Sequence, residues 1–335
     1  MRKNKIVEYI DWTDFLTHLH LKKGANVAKR ESLEEAKLYT DGYMDLMADE
    51  YFHERQRLIN HGYVIDTHCL TGGTICSPEL SIQDRNEVIS GIFNAYGMPY
   101  NFKSTTTEYG GDMILNTLDD NGRGCSYYFT LPENHPFHKT YANSDELQED
   151  LKALVPKLLS PSFTKYKYFQ NVTLEKEDIS EIEFNDIVQL VEMGLDDRDL
   201  AFYPYFCPGY GVEIDILPIG LSKAAGVENI KRTFYQGEHG NNDSDIALEI
   251  YMGDFSCVEL GAVDSSIGNQ VLFVATKDEV GISIATENTP LATRIGKHKL
   301  LATIGIYREL ADYADKHNGS LPDFDKGDFK ATLIK

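Results

Sequence analysis

Four segments of the chain carry polar side chains at points where apolar runs end or helical patterns begin. Asp11, the Thr71-Gly72 loop and Gly253-Asp254 each follow an apolar run, Lys223 opens a helical pattern, and Glu259 lies shortly after Asp254. Together they offer a carboxylate nucleophile, a hydroxyl donor, an ammonium group and further carboxylates. Phosphoryl transfer through an aspartyl phosphate needs these groups, because the charge on the transferring group must be met by a metal ion, a cation and hydrogen-bond donors.

The first third of the chain alternates between strand and helix patterns. Strands are predicted over Lys5 to Ile10, Tyr63 to Leu70 and Pro99 to Phe102, and helices over Ser32 to Asn60 and Ser81 to Tyr96. This alternation is typical of an open, mostly parallel α/β sheet, in which ligands bind at the carboxyl ends of the strands. Asp11 and Thr71 are therefore expected at one edge of the sheet.

The middle of the chain has a different pattern. Amphipathic strands are predicted over Cys125 to Phe129 and Lys165 to Phe169, and helices over Ser144 to Leu159 and Phe184 to Leu195. A half-exposed antiparallel sheet with two helices is predicted to form a separate α+β lobe that closes over the site.

The α/β alternation returns after Gly211. Strands are predicted over Val212 to Leu217, Ile246 to Met252 and Val271 to Ala275, and helices over Lys223 to Tyr235 and Lys297 to His317. The predicted organisation is a core of residues 1–107 and 211–335, interrupted by an inserted α+β cap of residues 108–210.

Three segments resemble motifs of the haloacid dehalogenase (HAD) superfamily. Tyr9-Ile10-Asp11-Trp12-Thr13 resembles its first motif. The segment from Ile216 to Val227 is similar to the lysine motif of the sugar-phosphate phosphatases with a type-two cap. Ile250 to Glu259 resembles their acidic motif, with Glu in place of the final Asp and one extra residue of spacing.

The resemblance implies an HAD-like, Rossmann-type α/β core, a mobile cap, dependence on magnesium (Mg²⁺) and hydrolysis of phosphate monoesters. The implied catalytic residues are Asp11, Thr13 and Lys223; the implied phosphate-binding residues are Thr71, Gly72 and Lys223; the implied metal-binding residues are Asp11, Thr13, Asp254 and Glu259. In this set Asp11 is the nucleophile and Lys223 steadies both the nucleophile and the phosphate.

The sequence also departs from the family pattern. Thr13 stands where the phosphatases have the Asp that acts as general acid and base, and loss of that acid is expected to slow turnover by about 10²- to 10⁴-fold. Asp14 is an adjacent candidate for the same role, and Phe15 replaces a smaller family residue. Thr67 fits the second motif almost as well as Thr71. These departures leave a second hypothesis open, a catalytically weak protein that binds a phosphorylated ligand or a protein partner.

Composition limits the classes of partner. The 335 residues include 32 Lys and Arg against 53 Asp and Glu, a formal net charge of -21. This negative field repels nucleic acid and anionic membranes, and any anionic substrate needs a local cation or metal ion to be held. The small phosphorylated substrate is the partner that the family resemblance implies. The five cysteines show no C-x-x-C spacing, and no apolar run approaches the roughly 18 residues of a membrane span. A cytoplasmic protein with reduced thiols is therefore expected.

Overall fold

The computed structural model describes fifteen ranges of the chain. They are residues 3–11, 46–70, 102–118, 124–129, 144–154, 160–165, 170–175, 181–195, 200–207, 211–236, 245–252, 272–274, 294–295, 299–323 and 332–333. The α-helices within them are α1 Leu46–Asn60, α2 Ser144–Leu154, α3 Glu181–Leu195, α4 Lys223–Phe234 and α5 Lys299–Lys316. Among these helices, none is long and apolar enough to cross a membrane.

The strands of the described ranges form three sheets. They are β1 Lys5–Asp11, β2 Val64–Leu70, β3 Phe102–Thr107, β4 Asp112–Leu118, β5 Gly124–Phe129, β6 Ser160–Lys165, β7 Gln170–Glu175, β8 Leu200–Cys207, β9 Gly211–Pro218, β10 Ile246–Met252, β11 Leu272–Val274, β12 Arg294–Ile295 and β13 Thr332–Leu333. The first sheet has the order β11-β10-β1-β2-β3-β4-β5, the second β6-β7-β9-β8, and the third pairs β12 with β13.

The first sheet is mostly parallel, which confirms the predicted α/β class. Strands β11, β10, β1, β2 and β3 run parallel to their neighbours, and β4 and β5 continue the sheet in antiparallel pairing. Residues from Ile6 to Ile10 are buried in its centre. A strand buried on both faces must be covered on both sides, and the helices provide this cover.

Two groups of helices cover opposite faces of this sheet. Val7 and Tyr9 belong to an apolar cluster with Val227 and Ile230 of α4. Glu8, which points to the other face because strand side chains alternate, meets residues of α1 and α5. Helices α1 and α5 also pack against each other.

Most predicted elements agree with the structure where it describes them. The strands at β1, β2, β10 and β11 and the helices at α4 and α5 lie within one or two residues of the predicted bounds. Helix α1 ends at Asn60, as the following His61-Gly62 predicts, and Gly62 has the positive φ of 89° that favours glycine. The helix predicted from Ser81 to Tyr96 lies outside the described residues.

Strand pairing is described on both sides of the predicted boundaries of the inserted lobe. Strands β4 and β5, within the predicted lobe, pair with the first sheet. Strand β9, in the segment predicted to follow the lobe, is antiparallel to β7 and β8 in the second sheet. An amphipathic or apolar run predicts a strand but not its partner, so the sequence alone does not determine this pairing. The boundaries of the lobe, 108–210, stay a prediction.

Two further predicted strands are described only in part. The third strand is described from Phe102 to Thr107 and so extends past its predicted end, while residues 99–101 lie outside the described residues. Of the strand predicted from Lys165 to Phe169, only Lys165 is described, as the last residue of β6. In β3 the buried residues Ser104, Thr105 and Thr106 are polar, which conceals the strand from a search for apolar runs.

Candidate functional site

The carboxyl ends of the central strands lie side by side. Asp11, the last residue of β1, is in register with Leu70, the last residue of β2. On the other side of β1, Ile10 is in register with Met252, the last residue of β10. Neighbouring strands are about 4.8 Å apart. Strands β2 and β10 therefore end beside the end of β1, and Thr71 and Gly253 are the residues that follow them in sequence.

Helix α4 brings Lys223 to the same edge. A Cβ atom placed on Gly226, in the first turn of α4, would lie 3.0 Å from Cδ2 of Leu70 and 3.2 Å from Cγ2 of Thr106. Thr106 is itself in register with Leu70, on the next strand. The first turn of α4 thus rests on the row of strand ends that includes Asp11, and Lys223 opens that turn.

Local sequence explains why the helix begins at Lys223. Ser222 has an extended backbone and its Oγ accepts a hydrogen bond of 3.0 Å from the backbone N–H of Ala225, which is the geometry of an N-cap. Before it, Gly220 has a φ of 103° and turns the chain out of β9. Gly226 allows the close approach to Leu70, because any side chain there would meet it.

The electrostatics of this helix start favour an anion. Lys223 is only 7% exposed, and the first turn of α4 has no acidic residue. The N-terminus of a helix carries a partial positive charge, and the ammonium group of a lysine there adds to it. This concentration of positive charge is suited to a phosphoryl group.

The remaining predicted site residues lie outside the described part of the chain. These are Thr13, Thr71, Gly72, Asp254 and Glu259, and the side chain of Asp11 is also not described. Of the predicted set, the structure brings together the backbone end of β1 and the start of α4.

Thr67, the alternative phosphate-binding hydroxyl, is excluded by its position. It lies in the middle of β2, is 1% exposed, and donates a hydrogen bond of 2.5 Å to Oε2 of Glu8. It also accepts a hydrogen bond of 2.8 Å from Nη2 of Arg55. Its hydroxyl is therefore occupied within the core, three residues before the strand end, and Thr71 remains the predicted residue.

Sequence reasoning missed the buried polar cluster to which Thr67 belongs. Glu8 accepts hydrogen bonds from Arg55 at 3.0 Å, from Tyr51 at 3.3 Å, and from Tyr307. Burial, followed by the charge of Glu8, raises the pKa of Tyr51 well above its usual range, so this hydroxyl keeps its proton and donates. The only signal in the sequence was a carboxylate in the middle of an apolar strand.

A second buried polar chain lies on the α4 face. His68 is fully buried, with Nδ1 2.8 Å from Oγ of Ser104 and Nε2 2.8 Å from the hydroxyl of Tyr235. Burial, helped by the charges of Lys103 and Lys5, lowers the pKa of His68 to about 3. His68 is therefore a neutral core residue whose hydrogen bonds connect β2, β3 and the end of α4.

The fold and this edge define an α/β protein in which the backbone end of β1, at Asp11, and a helix start that carries a buried lysine lie at one edge of the first sheet. No family model matches the sequence, and no curated protein matches it. Several solved structures are similar over most of the chain.

One is yhjK from Bacillus subtilis, a haloacid dehalogenase-like hydrolase protein, at 12% identity over 96% of this chain and 93% of that chain, with a TM-score of 0.44. A second is the sucrose-phosphatase from Synechocystis, at 11% identity over 99% and 92%, with a TM-score of 0.42. A third is the C-terminal domain of trehalose-6-phosphate phosphatase from C. albicans, at 12% identity over 92% and 93%, with a TM-score of 0.45.

Proposed function

We propose that this protein transfers a phosphoryl group from a small phosphorylated metabolite, of which a sugar phosphate is one example, to Asp11 and then to water or a second acceptor. The observation that carries the proposal is the row formed by Asp11, Leu70 and Gly226. Register places Asp11 beside Leu70, and the first turn of α4, which begins at Lys223, packs on Leu70. The nucleophile and the cation predicted from sequence are thus assigned to one edge.

The reaction has two steps. A carboxylate oxygen of Asp11 forms a bond to phosphorus while the bond from phosphorus to the leaving oxygen breaks, and that oxygen takes up a proton. Water then attacks the phosphorus of the aspartyl phosphate, which releases inorganic phosphate and restores the carboxylate. Lys223 and the partial positive charge at the start of α4 offset the negative charge that both steps place on the phosphoryl oxygens.

The residue type at position 13, Thr13, affects the expected rate of hydrolysis. It stands where the family has a general acid and base, and a threonine hydroxyl cannot supply a proton at neutral pH as a carboxylic acid does. We therefore expect slow hydrolysis, or transfer to an acceptor other than water. Phosphomonoesters with good leaving groups need less protonation and are the best first substrates.

The residues predicted at this edge fit a magnesium ion. Asp11 ends β1, and Asp254 follows two residues after Met252 of the adjacent strand β10, so two carboxylate-bearing segments start side by side. Asp11 and Asp254 would hold the ion, with Thr13 and Glu259 completing or orienting its ligands, since magnesium prefers oxygen. When bound, the ion supplies positive charge to the phosphoryl oxygens.

Charge and thiol content point to the kind of substrate and compartment. A net charge of -21 disfavours a polyanionic partner, so we assign a small phosphorylated molecule held by a local cation. The five cysteines show no C-x-x-C spacing, and we infer a cytoplasmic compartment in which they are reduced.

A second function is favoured by Thr13 and Phe15. If their replacement of the family residues removes turnover, the same edge would bind a phosphorylated ligand or a protein partner without hydrolysing the ligand. Binding without turnover is then the expected result.

The deciding experiment measures hydrolysis of a phosphomonoester panel with Mg²⁺ by the wild type and three variants. Asp11→Asn is expected to lose at least about 10³-fold in kcat, and Lys223→Met about 10²-fold. Lys231→Met is the matched control, because Lys231 lies in the last turn of the same helix and pairs with Glu249 at 3.0 Å. Absence of Asp11-dependent turnover on every substrate would overturn the catalytic proposal.

Binding of a phosphoryl analogue is measured separately from turnover. Beryllium fluoride with Mg²⁺ mimics an aspartyl phosphate and is expected to raise the melting temperature of the wild type but not of Asp11→Asn. A rise without turnover supports the binding function, and no rise counts against phosphorylation of Asp11.

A further inference from the structure

The turn between β3 and β4 contacts the helix that carries Lys223. Gly110 lies so close to α4 that a Cβ atom placed on it would be 2.8 Å from the backbone nitrogen of Gly226. Its carbonyl also accepts a hydrogen bond of 3.4 Å from Nδ2 of Asn229. Backbone meets backbone here, so the turn and the first turn of α4 cannot move independently.

Tyr109, the preceding residue, extends the contact to the second sheet. Its hydroxyl donates a hydrogen bond to Oδ2 of Asp215, a residue of β9. Oδ1 of Asp215 accepts a hydrogen bond of 2.8 Å from Nδ2 of Asn171, its register partner on β7. Tyr109 and Asp215 are 4% and 7% exposed, so this contact is shielded from water.

The backbone of Tyr109 is an exception to ordinary geometry. Its φ of 55° and ψ of 36° are left-handed, a conformation that bulky L-residues rarely adopt and that glycine adopts freely. A large aromatic residue at such a position indicates that its side chain is needed there. The side chain donates the hydrogen bond to Asp215.

These contacts meet at the start of α4 from two directions. Asp215 lies on β9, which is followed by the turn at Gly220 and then by Lys223. Tyr109 directly precedes Gly110, which lies against Gly226. The hydrogen bond between Tyr109 and Asp215 joins these two segments. Any displacement of β9 relative to the first sheet must stretch that bond or move the helix start.

We infer that Tyr109 is a positioning residue for Lys223, acting through Asp215 and Gly110 at the joint between the two sheets. The inference rests on the proposed function for its catalytic meaning, because Lys223 is the cation of the proposed site. Tyr109 itself is not assigned a contact with substrate. It keeps the ammonium-bearing helix start at a fixed place relative to the end of β1.

The test compares Tyr109→Phe with Tyr63→Phe. Tyr63 is a matched control because it is also 4% exposed and its hydroxyl donates a hydrogen bond of 2.8 Å to the carbonyl oxygen of Gly319, away from α4. Each variant loses one buried hydroxyl, so both are expected to lower the melting temperature. Only Tyr109→Phe is expected to change the position of Lys223 and its accessibility to a reagent.

Two measurements, made below the melting temperature, test for this change at Lys223. Mass spectrometry gives the rate at which acetic anhydride acetylates Lys223, expected to rise about threefold or more in Tyr109→Phe and to stay at the wild-type value in Tyr63→Phe. Steady-state kinetics on the best phosphomonoester are expected to show a fall of about tenfold in kcat for Tyr109→Phe, with a smaller change in KM. A residue that only stabilised the fold would change neither value at a temperature where the protein is folded.

Asp215→Leu provides a second variant that keeps the approximate shape of the side chain but cannot accept a hydrogen bond. It is expected to reproduce both changes, and the double variant with Tyr109→Phe is expected to be no worse than Asp215→Leu alone, because the bond between the two side chains is already lost. Acetylation and kcat within about twofold of the Tyr63→Phe values, in both variants, would overturn the inference. If the wild type shows no Asp11-dependent turnover, the proposed function fails, and the acetylation rate alone decides the positioning role.

Discussion

Nη2 of Arg55 lies 3.0 Å from Oε2 of Glu8, and both side chains are almost entirely buried beneath the central strand that ends at Asp11. A charged pair inside a core must be fully satisfied, and here Tyr51, Tyr307 and Thr67 complete the hydrogen bonds of the carboxylate. The pair joins β1 to α1 and opposes a shift of β1 along β2. It thereby helps to fix the place of Asp11.

We expect Arg55→Met to lower the free energy of unfolding by about 3 to 5 kcal/mol, because it leaves Glu8 buried without its cation. Urea denaturation measures the change. Glu149→Gln is the control, since it breaks an exposed pair with Lys152 and is expected to stay within about 0.5 kcal/mol of the wild type. A loss below about 1 kcal/mol in Arg55→Met would show that the buried pair contributes little.

Thr67→Val separates the core hydroxyl from the predicted phosphate-binding one. It removes a donor to Glu8 and an acceptor for Arg55, so a loss of about 1 to 3 kcal/mol in stability is expected. KM for the phosphomonoester is expected to stay unchanged, whereas Thr71→Ala is expected to raise it. A rise in KM for Thr67→Val equal to that for Thr71→Ala would return Thr67 to the candidate site.

His68 makes stability depend on pH in a defined direction. Its pKa is about 3 in the folded protein against an ordinary value of 6.5, so the unfolded chain binds the extra proton between these values. The stabilising contribution of neutral His68 is therefore complete above pH 6.5 and is lost as pH falls from there towards 3. The slope approaches about 1.4 kcal/mol per pH unit.

The comparison is with His68→Gln, which cannot take up a proton. The stability of the wild type minus that of the variant is expected to fall with pH below 6.5, since carboxylates common to both proteins cancel in the difference. Urea denaturation at several pH values measures it. A difference that stays constant between pH 6.5 and 4 would contradict a neutral, buried His68.

Gly110 and Gly62 allow the close approach at α4 to be measured. Their φ values are 92° and 89°, but a Cβ atom on Gly62 would meet nothing within 4 Å, whereas one on Gly110 would strike the backbone of Gly226. Gly62→Ala is expected to cost about 1 kcal/mol from backbone strain alone. Gly110→Ala is expected to cost about 1 to 3 kcal/mol more, because backbone atoms must separate. Equal losses in the free energy of unfolding, measured by urea denaturation, would mean that the turn at Gly110 moves away from Gly226 at little cost.

The sequence was sufficient wherever a local pattern decides the structure. The β-branched run of β1, the stop at His61-Gly62 and the Ser222 cap before Lys223 each predicted an element that the structure contains. Parallel alternation also predicted that β1 and β2 end at one edge of the sheet, and Asp11, the last residue of β1, is in register with Leu70, the last residue of β2. These features depend on hydrogen bonds and steric preferences within a few residues.

Tertiary structure alone decided which strands pair and which polar groups meet. β9 carries the same kind of apolar pattern as β10, yet it joins the second sheet and β10 joins the first, because pairing is settled by contacts between distant segments. In the same way Glu8 accepts hydrogen bonds from Arg55 and Tyr307, and Tyr109 donates one to Asp215, although these partners are far apart in the sequence. A side chain's type shows what bonds it can form, but only the folded chain brings the partner within reach.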